Sequence, residues 1–151
     1  MYDDACSCDV QSEHFLRSVT ATPEGVRETL DEVMQFVAQS GATEQELGNI
    51  QLVLAEVLNN IVEHALVDVH DPLLELRMCR AGQDFHFLTK DNGCAMPNHQ
   101  IPLREMPDVD VATQDLPEGG YGWAIFRLFA HGYSYQRACE MNFLRFSIKL
   151  S

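Results

Sequence analysis

Lysine is nearly missing from this chain: Lys90 and Lys149 are two of ten cationic residues, set against 23 Asp and Glu, leaving 151 residues at −13 with histidines neutral. So few cations exclude nonspecific nucleic-acid binding, which needs clustered Lys and Arg to neutralise phosphates. An anionic membrane surface is disfavoured for the same reason, and no apolar run approaches the ~18 residues of a transmembrane helix. Cysteine is sparse and odd in number, five residues at 6, 8, 79, 94 and 139. That count fits reduced thiols in a cytosol better than a secreted disulfide framework. Cys6-Ser7-Cys8 with His14 offers half of a metal site, but no paired-ligand spacing downstream completes it. Residues 1–12 therefore read as a flexible tail, and its acidic start, Met1-Tyr2-Asp3-Asp4, is unlike a signal peptide. The expectation is a cytoplasmic protein with no nucleic-acid or membrane partner. Its length suits one core, so residues 13–151 read as a single domain burying roughly 70% of its unfolded surface.

Residues 13–19 suit an opening strand. Thr22 is an N-cap ahead of Pro23, and apolar residues at Val26, Leu30, Val33 and Val37 predict a helix over 23–39 before Ser40-Gly41. Thr43 with Glu46 is a capping-box pair, and Leu47, Ile50, Leu54, Val57, Leu58 and Ile61 continue at helical spacing, which predicts a long helix over 44–66. After Asp71-Pro72, residues 73–81 and 84–90 read as strands joined by Ala81-Gly82-Gln83. Four of the six prolines and five acidic residues then fall between 97 and 118. A stretch that long without periodicity reads as a lid. Gly119-Gly120-Tyr121-Gly122 opens a third amphipathic helix ending near Gly132, and residues 132–138 and 142–150 close the chain as two strands. The order predicts an α+β, two-layer sandwich: a mostly antiparallel mixed sheet with helices on one face.

Three features carry chemistry. Glu56, Asn60 and His64 are four apart, so they share one helical stripe beside Asn59 and Glu63, opposite the apolar face. Such a stripe is ordinarily a solvated side, but adjacent asparagines are poor helix formers and suit a site better than a surface. The Asn60 amide oxygen is a hard ligand suited to Mg²⁺, and Glu56 can take a proton. Next, Asp91-Asn92-Gly93 lies where a strand meets the lid, which as a turn needs no further explanation. Last, the glycines from 119 to 122 precede a helix, whose free N–H groups and positive end favour a phosphate.

In this order the features resemble the ATP-binding fold shared by gyrase, Hsp90, histidine kinases and MutL, the GHKL or Bergerat superfamily. Within it the likeness is to the small anti-sigma-factor serine-protein kinases of bacterial partner switching. Residues 54–65 look like the N box, 91–97 the G1 box, 116–127 the G2 box, and 132–146 the closing hairpin. The resemblance implies Glu56 as general base, Asn60 as Mg²⁺ ligand, and Asp91 accepting the adenine amino group. It implies a nucleotide-binding set of Asn60, His64, Asp91, Gly93, Ala95, Met96, Gly119, Gly120, Tyr121, Gly122 and Trp123, with Gly93 letting backbone approach the ring. The cofactors implied are ATP and Mg²⁺. The implied partners are an anti-sigma-antagonist (STAS-type) protein and a sigma factor or equivalent regulator, with a homodimer. Ala95 replaces the second G1 glycine, Trp123 a smaller aliphatic, His131 a common aspartate, and Glu118 an arginine found in some relatives. These departures motivate the alternative, a non-catalytic partner-binding switch module with weak or lost nucleotide binding.

Overall fold

The computed structural model describes residues 14–102 and 122–150. The tail over 1–12 and all but the first six residues of the lid over 97–118 lie outside them, as do Gly119, Gly120 and Tyr121. In chain order the elements are β1 (His14–Ser18), α1 (Pro23–Ala38), α2 (Glu44–Asn60), a π-helical turn (Ile61–Ala65), β2 (Leu74–Ala81) and β3 (Asp84–Asp91). A 3-10 turn (Pro97–His99), α3 (Gly122–Phe129), β4 (Ala130–Ala138) and β5 (Met141–Lys149) follow.

Both long helices start where their caps dictate. The Thr22 hydroxyl accepts from the Gly25 N–H at 3.0 Å, and Thr43 and Glu46 form the reciprocal capping box at 3.1 and 2.9 Å. The end of α2 departs from the expected α-helix over 44–66. Beyond Asn60 the chain widens into the π turn, a feature often found at functional sites.

The strands form one sheet in the order β1-β2-β3-β5-β4, and every neighbouring pair is antiparallel, so the expected mixed sheet is wholly antiparallel. Alternation sends Leu74, Leu76 and Met78, Phe85 and Phe87, and Leu144, Phe146 and Ile148 to one face, where they join the buried residues of all three helices in a single core. Phe146 stacks on Phe87 at 5.0 Å and meets Phe126 of α3 edge-on at 5.1 Å, which seats α3 over the sheet. The β2–β3 loop is the pair Gly82-Gln83, with Gly82 at φ +62°. The β4–β5 loop is Cys139-Glu140, both residues left-handed at φ +53° and +63°, as a tight hairpin turn demands. The third helix ends at Phe129, short of the expected Gly132, because β4 begins pairing with β5 at Ala130. Cys94 and Cys139 are free thiols, whereas Cys79, buried on β2, is disulfide-bonded, which departs from the reading of reduced thiols.

Candidate active site

At the C-terminal end of α2 the polar stripe is half-buried, which corrects its reading as a solvated side. Gly122, the first residue of α3, lies against it: a Cβ there would fall 2.5 Å from Glu56 Oε2 and 3.1 Å from Asn60 Nδ2. Only glycine lets α3 begin at that distance, so Glu56 and Asn60 are gathered at the positive end of a helix. Asn60 Nδ2 donates to the Glu56 carbonyl at 2.8 Å, and this orientation leaves the amide oxygen as its free group. His64 arrives from the π turn rather than along the α-helical stripe, and it is exposed at the cavity rim.

Asp91 ends β3 and is 3% exposed. Its Oδ1 accepts from the Gly93 N–H and from Asn142 Nδ2, each at 2.9 Å. Burial raises its pKa above the ordinary carboxylate value, while the hydrogen bonds from Asn142 and Gly93 and the nearby Arg137 charge pull it back. Asn142 faces Asp91 across the β3–β5 register and ties the whole corner together. Its Nδ2 also donates to the Cys94 carbonyl at 2.9 Å, and its Oδ1 accepts from Tyr135 Oη at 2.5 Å and Arg137 Nη1 at 2.8 Å. Tyr135 Oη in turn accepts from the Met96 N–H at 3.0 Å, and Arg137 donates to the Gly93 carbonyl at 2.9 Å. The loop after Asp91 is thus pinned from β4 and β5.

Gly93 is needed for a reason other than approach to a ring. A Cβ there would fall 2.5 Å from the Ala65 carbonyl oxygen, because the loop packs directly on the π turn, where the Cys94 N–H donates to that carbonyl at 3.0 Å. Gly93→Ala is expected to lower folding stability by about 1–3 kcal/mol, since rigid backbone has to give way. A denaturation midpoint equal to the wild type would refute the close approach.

Between these parts lies a cavity of about 460 Å³. Asn60, His64, Asp91, Ala95, Met96 and Trp123 of the expected set line it, together with Thr89, Cys94, Tyr135, Asn142 and Leu144. Gly93 instead abuts the π turn, Glu56 and Gly122 meet one turn away from Asn60, and Gly119, Gly120 and Tyr121 lie outside the described residues. The volume suits a small ligand of nucleoside size. Its walls are apolar at Ile61, Ala65, Met96, Trp123 and Leu144, as a flat ring requires. Its floor holds a fully buried hydroxyl, Thr89 Oγ1, with no hydrogen-bond partner. An orphaned polar atom facing a cavity fits a ligand with a polar edge, so the residues present fit a nucleotide base. Among the described residues no group of three His, Cys, Asp or Glu is placed to hold a metal ion. A single amide oxygen fits the needs of Mg²⁺, which takes few protein ligands when phosphates supply the others.

Sequence reading missed Thr89, Tyr135, Arg137 and Asn142. The available signal was a polar Asn142 opening an otherwise apolar strand directly after a turn.

A wholly antiparallel sheet under helices, with a polar-floored cavity between a helix end and the strand-to-lid junction, defines a domain of the kinase-like ATPase class. Residues 19–148 match the histidine kinase-like ATPase domain, and the chain belongs to that family. It is 32% identical over 95 residues to the serine/threonine-protein kinase BtrW of Bordetella bronchiseptica, a match covering 63% of this chain and 65% of BtrW. The chain therefore spans just under two thirds of that relative. Among solved structures, the RsbU and RsbW domains of Rv1364c from Mycobacterium tuberculosis superpose with a TM-score of 0.64 at 15% identity, over 91% of this chain and 32% of that one. The histidine kinase domain of the blue-light activated histidine kinase of Erythrobacter litoralis EL346 gives 0.50 at 16% identity, over 83% and 61%. At such identities these structures establish the shared fold. Among the described residues no helix is long and apolar enough to cross a membrane.

Proposed function

We propose that this protein binds ATP with Mg²⁺ and phosphorylates a serine of an anti-sigma-antagonist protein, alternating with capture of a sigma factor or equivalent regulator. The observation that carries the reading is the apposition of Gly122 to Glu56 and Asn60 at one end of a cavity whose other end is floored by Asp91. In the proposed reaction the Glu56 carboxylate takes the proton of the serine hydroxyl. The serine oxygen forms a bond to the γ-phosphorus as the bond from that phosphorus to the bridging oxygen breaks, and ADP leaves. Asn60 would hold Mg²⁺ through its amide oxygen, and a bound Mg²⁺ supplies neutralisation of phosphate charge. Asp91 accepts from the amino group of the base, and the apolar walls exclude water. By the same family resemblance we read the protein as a cytoplasmic homodimer.

The test is calorimetric titration of ATP and ADP, with and without Mg²⁺, on wild type and Asn60→Ala, followed by transfer of labelled phosphate to candidate antagonists. Mg²⁺-dependent ATP binding that is lost in Asn60→Ala supports the proposal. Absence of binding at millimolar nucleotide overturns it and favours the second reading, a non-catalytic module that grips its partner. The observation on the side of that second reading is the Trp123 indole in the cavity wall, beside Ala95.

A further inference from the structure

Thr89 is the one residue of the cavity floor that nothing above puts to use. Its hydroxyl is fully buried and unpartnered, while the polar groups around it are engaged with one another: Asn142 with Asp91, Tyr135 and Arg137, and Tyr135 with Met96. Leaving a buried hydroxyl unsatisfied is unfavourable, and a ligand atom that pairs with it removes that penalty on binding. The placement also has a direction. Thr89 and Asp91 are two residues apart on β3, so both side chains leave the same face of the sheet, and both line the cavity. An ionised carboxylate only accepts, whereas a hydroxyl can donate.

We infer that Thr89 is a base-selectivity residue, its hydroxyl donating, directly or through one water, to the ring nitrogen beside the amino group that Asp91 receives. The inference rests on the nucleotide reading of this cavity. An acceptor next to a donor on the protein complements the amino and ring-nitrogen edge of adenine. Guanine presents a carbonyl and a ring N–H there, the reverse order, and is rejected at both points.

The experiment compares wild type, Thr89→Val and Thr89→Ser by calorimetry, with ATP and with an ATP analogue carrying C–H in place of that ring nitrogen. Thr89→Val keeps the shape and removes the hydroxyl. It is expected to bind ATP about tenfold more weakly, the scale of one hydrogen bond, and to bind ATP and the analogue alike. Wild type and Thr89→Ser are expected to prefer ATP over the analogue by about the same tenfold factor. The empty Thr89→Val protein should melt no lower than wild type, because an orphaned hydroxyl is removed. Equal ATP affinity in wild type and Thr89→Val overturns the inference, as does an analogue penalty that persists in Thr89→Val; in either case the site still binds ATP and the nucleotide reading stands. A wild type that binds neither ATP nor the analogue overturns the nucleotide reading and this inference together.

Discussion

Asp91→Asn is expected to weaken ATP binding by roughly 10- to 100-fold, the range of a hydrogen bond to a charged group, while leaving the empty protein at least as stable at neutral pH. The substituted amide retains an oxygen for the Gly93 N–H and Asn142 Nδ2, both at 2.9 Å, so the loop stays pinned. What is lost is the negative charge and an acceptor for the base. Stability responds to pH in a definite direction. Burial, the largest influence, holds the folded pKa of Asp91 above its unfolded value of about 3.9. Its contribution to stability is therefore full below that unfolded value and is lost as pH rises through the folded one. ATP affinity runs the opposite way, since the amino group needs an ionised acceptor, and so falls as pH drops through the raised pKa. Titrations of ATP and denaturation midpoints across roughly pH 4 to 8 should carry both trends in wild type and lose the Asp91 share of each in Asp91→Asn. Identical ATP affinities for the two proteins at neutral pH would remove Asp91 from the base site.

The second large effect is expected at Glu56. Glu56→Gln should lower the rate of phosphate transfer by roughly 10²- to 10⁴-fold, the usual contribution of a positioned general base. ATP affinity should change little, because the carboxylate lies at the first residue of α3, one turn from the cavity wall. Gln keeps the shape that packs against Gly122, so a folding defect does not explain a loss of rate. Single-turnover transfer measured beside calorimetric ATP binding separates the two quantities. Full transfer by Glu56→Gln would rule out the base, and parallel loss of binding and rate would recast Glu56 as a positioning residue.

Much of the architecture was legible in one dimension because its causes are local. The caps at Thr22 and Thr43 act over three residues, and the helical spacing of Leu47, Ile50, Leu54, Val57 and Leu58 needs only the helix itself. The β2–β3 hairpin follows from a two-residue loop containing glycine at φ +62°. The candidate site was legible as three separated polar and glycine-rich segments, and the cavity gathers Asn60, His64, Asp91, Ala95, Met96 and Trp123 from them. The π turn was not legible, because nothing in residues 61–65 breaks the apolar period; Gly93 packing on Ala65 accompanies the wider turn. Cys139 and Glu140 likewise hold left-handed conformations that neither residue type announces.

The sequence by itself determined an acidic chain, the two capped helices, the order of the elements, and which residue types stand ready for proton transfer, metal ligation and base recognition. Each of these depends on composition or on neighbours within a few positions. The tertiary structure alone decided that Asn142 reaches Asp91 from 51 positions away, that Arg137 and Tyr135 pin the loop between them, and that Gly122 brings α3 onto Glu56. It also decided that Thr89 faces a cavity with no partner. Such contacts depend on strand register and on how closely two backbones approach, and those are set only when the sheet closes under the helices.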